Sequence, residues 1–178
     1  MDFRILRYDT LDSTNNLALE FARQGASEGT VVVAEYQTNG RGRFERRWLS
    51  PRGNGLLFSV LLRPKIKTSS ASMITHWAAQ AVAEALKKRF GLSPKLKRPN
   101  DVLVGGRKIA GILTESSGIG QNLEYVVVGI GVNINTGREK LLKTATSVYL
   151  EVGKKVHKDD IMMDILSVFR IKYHEKVS

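Results

Sequence analysis

The segment 123–134, LEYVVVGIGVNI, followed by Asn135, constrains the fold of this 178-residue chain more than any other. A β-strand sends successive side chains to opposite faces. Alternation therefore puts Val128, Ile130, Val132 and Ile134 on one face and Gly129, Gly131, Asn133 and Asn135 on the other. The first set suits a packed core. The second is stripped of bulk and then turns polar, although glycine weakens a strand interior. Two readings remain for it: a bulge, or a groove whose floor must admit a ligand.

The other segments supply partners for this strand. Residues 3–8, 30–36 and 55–62 read as strands, the last (GLLFSVLL) as a buried one, with further short strands around 94–98 and 101–104 and a longer one over 108–116. Gly105-Gly106 reads as a two-residue hairpin turn, because both positions tolerate positive φ. Ser13 reads as the N-cap of a first helix carrying Leu17, Ala18, Phe21 and Ala22, with Gly25 as its stop. The clearest helix runs from 72 to 90, where Ile74, Trp77, Ala78, Ala81, Val82, Ala85 and Leu86 form one apolar stripe before Gly91. A last helix, capped by Asp159, carries Ile161, Ile165, Leu166 and Phe169. Hairpin-joined strands with segregated helices predict an α+β fold with a mainly antiparallel sheet.

Composition narrows the chemistry. The chain has no cysteine, which excludes disulfides, a thiolate nucleophile and cysteine-bound zinc or iron–sulfur clusters. Its three histidines are scattered, and neither a signal-peptide pattern nor a long apolar span is present, so a single-domain, cytoplasmic protein without a membrane partner is expected. The 28 Lys and Arg against 17 Asp and Glu give a net charge of +11. That excess suits an anionic partner or simply a solvated surface. A nucleic-acid module is the weaker reading, since the 72–90 helix keeps its charge at its C-terminal end.

Several segments are candidates for chemistry. Gly40-Arg41-Gly42-Arg43, with Arg46 and Arg47 behind, combines backbone N–H groups free to converge on an anion with planar bidentate donors. A solvated basic loop is its plain alternative. Lys97-Arg98-Pro99-Asn100-Asp101 is ordinary turn chemistry by itself, but it would set Asn100 and Asp101 at a sheet rim. Lys108 enters a strand just before Ala110-Gly111, a small pair that permits close approach to the backbone. Asp12-Ser13-Thr14-Asn15-Asn16 opens the first helix, and Gln37 ends a strand beside the Gly-Arg loop with one amide donor and one acceptor.

Taken in order, DSTN, EYQTNGRGR, Trp48, KRPND, RKIAGIL and GIGVNIN resemble the catalytic domain of biotin protein ligases, over roughly residues 5–150. The resemblance implies a class II aminoacyl-tRNA synthetase-like fold, a mixed and largely antiparallel sheet flanked by helices. It implies an ATP-dependent ligase that makes biotinyl-5′-AMP, with Mg²⁺, and then transfers biotin to a lysine of a biotin carboxyl carrier protein. By position, Ser13, Thr14, Asn15, Gln37, Arg41, Gly42, Arg43, Lys108, Gly111 and Leu113 would contact biotin, and Gly40, Arg41, Arg43, Trp48, Asn100, Lys108 and Asn133 the nucleotide. Lys108, Arg43 and Asp101 would carry the chemistry, Asp101 by orienting or deprotonating the acceptor amine. The resemblance designates no metal-ligating residue.

Three departures from the family pattern stand out. Arg98 occupies a position where relatives usually have Trp. No helix-turn-helix domain is expected before the catalytic domain over 1–178, and no small β-barrel domain after it. A lipoate or octanoate ligase or transferase of the same fold is the alternative function. A strand edge such as 123–134 offers a surface for pairing two copies across a two-fold axis, so a homodimer is also carried as an expectation.

Overall fold

The computed structural model describes residues 1–44 and 46–177; Glu45, inside the 40–47 loop, and Ser178 lie outside the described residues. Seven strands form one sheet: β1 (Arg4–Leu11), β2 (Thr30–Gln37), β3 (Gly55–Leu62), β4 (Lys95–Lys97), β5 (Asp101–Val104), β6 (Arg107–Ile119) and β7 (Asn122–Asn133). Their spatial order is β1-β2-β3-β7-β6-β5-β4. β1 and β2 run parallel, because α1 (Thr14–Arg23) crosses between them; every other pair is antiparallel. This is the mixed, largely antiparallel sheet that the sequence predicted.

The two faces of the sheet differ as the 123–134 alternation required. Val126, Val128, Ile130 and Val132 of β7 join Phe58 and Val60 of β3 under α2 (Ala71–Phe90) and α4 (Lys158–Val177). Their helical stripes meet as Ile74, Ala78, Ala81 and Val82 on α2 and Ile161, Ile165 and Phe169 on α4. Fully burying a side chain of this size contributes about 1.5–3 kcal/mol, so this face holds most of the folding energy. On the other face, α1 lays Ala18 and Ala22 over Val32, Leu61, Tyr125 and Val127. Bulk then runs out along β7 at Gly129 and Gly131.

The turn chemistry holds: Gly105 and Gly106 take φ of 56° and 77° between β5 and β6, and Gly91 ends α2 at φ 67°. Other expectations are corrected. α4 begins at Lys158, which puts Asp159 inside the first turn instead of at the cap, where its carboxylate still complements the positive helix end and pairs with Arg7 at 3.0 Å. β7 is an interior strand between β3 and β6, so it has no free edge for pairing copies; the outer strands are β1 and β4. The short helix α3 (Val148–Val152), capped by the Ser147 hydroxyl, is not legible in the sequence, because five residues give no helical period to detect. Among the described residues, no helix is long and apolar enough to cross a membrane.

Candidate active site

The site lies on the glycine face, beyond the N-terminus of α1. Ser13 is extended and caps that helix, but its hydroxyl makes no capping bond. Gln37 of β2 takes over that role: its Oε1 accepts from the Thr14 N–H at 2.7 Å and from the Thr14 hydroxyl at 3.0 Å. Satisfying an orphan helix N–H in this way locks the end of β2 to the start of α1. Both lone pairs of the Gln37 oxygen are thereby used, so what Gln37 offers a ligand is its NH₂ donor. The acceptor that the sequence suggested for it is already spent within the protein.

Gly129 and Gly131 are not bare in this structure. A Cβ on Gly129 would collide with Asn15 Oδ1, and one on Gly131 would lie 2.6 Å from Trp48 Cε2. Both glycines thus admit another side chain against the strand, the close approach that their lack of a Cβ allows. Asn15 is held from three sides. Its Oδ1 accepts from the buried Ser59 hydroxyl at 2.6 Å, and its Nδ2 donates to Leu113 O at 3.2 Å and Glu115 Oε2 at 2.8 Å. The Ser59 hydroxyl also sits 2.8 Å from the Thr14 hydroxyl.

Trp48 lies against the floor made by Gly111 and Gly131, which pair across β6 and β7. Lys108 Nζ stands 5.4 Å from the indole centroid and 2.7 Å from Asp101 Oδ1. That cation over the ring face adds about 0.5–2 kcal/mol to the ion pair. Among the described residues the buried Trp48 indole N–H has no hydrogen-bond partner, and an unpaired buried donor costs about 1–3 kcal/mol. A bulge makes this cluster possible. Leu103 pairs with Lys108 and Val102 with Ala110, so Ile109 is an extra residue in β6. Strict alternation would send Lys108 and Gly111 to opposite faces; the bulge brings Lys108 Cε to 3.1 Å from a Cβ built on Gly111.

The Gly-Arg loop closes over the same face. Trp48 N–H donates to Gly40 O at 2.9 Å, Gly42 N–H donates to Arg46 O at 2.7 Å, and Arg41 bridges Arg47. A Cβ on Gly40 would collide with Trp48 O, so only glycine fits there. A cavity of about 440 Å³ opens between residues 39–44, Arg46, Arg47 and Leu113. The two leading arginines differ. Arg41 donates to Asn16 Oδ1 and Glu115 Oε1, both at 2.6 Å, so its guanidinium is already engaged. Arg43 stacks on Phe44, 4.9 Å from the ring centroid, and lines the cavity.

The structure therefore assembles Ser13, Thr14, Asn15 and Gln37 as one wall, Lys108, Asp101, Gly111 and Trp48 as a floor, and Gly40, Arg41, Gly42, Arg43 and Leu113 as a rim. The nucleotide contact expected of Asn100 and Asn133 falls on amides that also hold the backbone. Asn100 Nδ2 donates to Ile112 O and Asn133 Nδ2 to Thr146 O, so these amides fasten neighbouring backbone. Asp101 faces Lys108, which makes it the partner of that ammonium and not a lone base. Arg98 is exposed. Ser59 and Glu115 belong to the site although no motif pointed to them. The signal for Ser59 was its lone hydroxyl within the apolar run 55–62; Glu115 follows Leu113 by two on the glycine face of β6 and carries no further mark. Among the described residues, no group of three or more His, Asp or Glu side chains converges as it would around a resident metal ion.

Comparison with known proteins shows the family. The family model described as biotin/lipoate A/B protein ligase matches residues 8–133. The bifunctional ligase/repressor BirA of Bacillus subtilis (strain 168) is 37% identical over 98% of this chain and 55% of its own length. The biotin–[acetyl-CoA-carboxylase] ligase of Paracoccus denitrificans is 45% identical over 69% of this chain and 51% of its own. The chain thus spans about half the length of the curated relatives it matches. The structure of biotin protein ligase from Aquifex aeolicus in complex with biotin and ATP superposes with a TM-score of 0.82 at 30% identity, covering 98% of this chain and 72% of that one. The family model, these relatives and the structural likeness together show that the chain belongs to the biotin/lipoate A/B protein ligase family, on its biotin protein ligase side.

Proposed function

We propose that this chain activates biotin with ATP and transfers it to a lysine of a carrier protein. The observation that carries the proposal is the Lys108–Asp101 pair set over the Trp48 indole, beside a loop cavity lined by Arg43. In the first step a biotin carboxylate oxygen attacks the α-phosphorus of ATP, the Pα–O bond to the β-phosphate breaks, and pyrophosphate leaves. Two anions must meet, so their repulsion has to be screened by fixed positive charge. Lys108 supplies it from the floor and Arg43 from the rim. Asp101 keeps the Lys108 ammonium pointed along the glycine floor, where Gly111 leaves room for it. A divalent ion enters this reading with the nucleotide as substrate, and no step is routed through it.

Recognition of the biotin head falls to the α1 wall. The Gln37 NH₂ is the donor left for a ureido oxygen, and Ser13, Thr14 and Asn15 complete that side. The Gly-Arg loop then covers the acyl-adenylate, which water would hydrolyse. In the second step a neutral lysine amine of the carrier attacks the anhydride carbonyl, the C–O bond to AMP breaks, and the nitrogen gives up its proton. The partner is a biotin carboxyl carrier protein, and the cytoplasm is the compartment where carrier and ATP meet.

Incubation with ATP, Mg²⁺ and biotin, read by mass spectrometry, tests the proposal. Biotinyl-5′-AMP is the expected product. Its absence, with lipoyl-AMP formed from lipoate instead, would move the assignment to the lipoate branch of the family.

A further inference from the structure

One carboxylate in the site has no role in the chemistry above. Glu115 sits two residues beyond Leu113 on the glycine face of β6 and is largely covered. Its two oxygens do different things: Oε2 accepts from Asn15 Nδ2 at 2.8 Å, and Oε1 accepts from Arg41 NH2 at 2.6 Å. Asn15 belongs to the α1 wall, and Arg41 is the root of the Gly-Arg loop. Arg41 reaches back to that wall a second time through Asn16 at 2.6 Å. A planar guanidinium held at two points fixes the backbone that carries it more firmly than a lysine would.

We propose that Glu115 is a positioning residue that couples the biotin wall to the Gly-Arg loop, by bridging Asn15 and Arg41 so that the loop closes over a filled pocket and stays closed on the acyl-adenylate. The inference rests on the ligase reading above. Glu115 touches no reacting atom; it acts through Arg41, whose guanidinium it holds. A glutamine there has one oxygen in place of the two that separately meet Asn15 and Arg41; with that oxygen on Asn15, its NH₂ would face the Arg41 donors. An aspartate keeps the charge but is one methylene short of spanning them.

The test uses the full chain, with release of biotinyl-AMP followed by quench assay and steady-state kinetics alongside. Because the Arg41–Glu115 pair is partly solvent-exposed, E115Q is expected to release the adenylate only about five- to tenfold faster. KM for biotin should rise in parallel, while kcat at saturating substrates stays within about twofold. E115D should retain the adenylate better than E115Q. In an R41A background E115Q should add almost nothing, since residues that act through one bond are not additive. A merely structural role would lower the melting temperature without that non-additivity or the KM-against-kcat split. Multiplicative effects in the double variant, or adenylate retention in E115Q equal to the parent, overturn the coupling. If E115Q does not fold, E115D carried through the same double-variant cycle separates the two outcomes. A parent protein that makes no biotinyl-AMP refutes the ligase reading itself, whereas an active parent with an unaltered E115Q refutes only the role of Glu115.

Discussion

The two faces of the sheet are built on opposite terms. Beneath α2 and α4, β7 presents Val126, Val128, Ile130 and Val132 to a core in which neighbouring side chains are apolar and buried. On the reverse, the same strand presents Gly129 and Gly131, and the space is filled by Asn15, Trp48 and a polar chain running through Thr14, Ser59 and Glu115. The first face gains its energy from area removed from water. The second gives up strand bulk so that an amide and an indole can pack directly against the backbone of β7. Stability and function are thus separated by a single strand, residue by residue. Substitutions on one face should register in melting, and those on the other in catalysis.

Lys108→Ala should break the functional face most sharply. Adenylate formation should fall by about 10²–10⁴ if one transition-state contact is lost, with melting little changed, as pyrophosphate release would show. Near-normal release would remove Lys108 from the mechanism. Phe58→Ala, fully buried on the opposite face, should cost about 3–5 kcal/mol of stability in denaturant unfolding, while the folded fraction keeps its KM for biotin.

Gly131→Ala sharpens the contrast within β7. The new Cβ meets the indole at 2.6 Å, and overpacking of this kind costs about 1–3 kcal/mol. The loss should appear in biotin affinity by calorimetry, because Trp48 sits on the ligand side. An unchanged affinity with a large fall in melting temperature would place Trp48 among the structural residues instead.

The smallest effect concerns Tyr173 on α4. Burial, followed by its 2.5 Å hydrogen bond to Glu28, raises the Tyr173 hydroxyl well above its ordinary pKa. A raised folded-state value means that its stabilising contribution is complete below the unfolded value of about 10 and is lost as pH climbs beyond it. Tyr173→Phe should cost about 1 kcal/mol at neutral pH, and its unfolding free energy should fall less steeply above pH ~10 than the parent's. Equal alkaline slopes would mean that the phenol does not ionise on unfolding.

Much of the molecule is legible without a structure. The 72–90 stripe, the Gly105-Gly106 turn and the faces of 123–134 follow from local period and φ tolerance, and six motifs in order carry the family resemblance. Their order cannot show which side chains fill the glycine spaces. Trp48 reaches Gly131 and Gly111 only because the loop folds back through its bond to Gly40 O. Ser59 and Glu115 escape a reading of the sequence because their partners are 44 to 100 residues away along the chain.

The chain's own order of residues determined which segments are strands and helices and which strand face is apolar, since both depend on neighbours a few positions apart. Tertiary pairing alone decided that Ile109 bulges and turns Lys108 toward Gly111, that β7 is interior, and that Gln37 caps α1 in place of Ser13. The reason is that an extra residue in one strand reverses side-chain parity beyond it, and only the partner strand reveals where that residue is inserted.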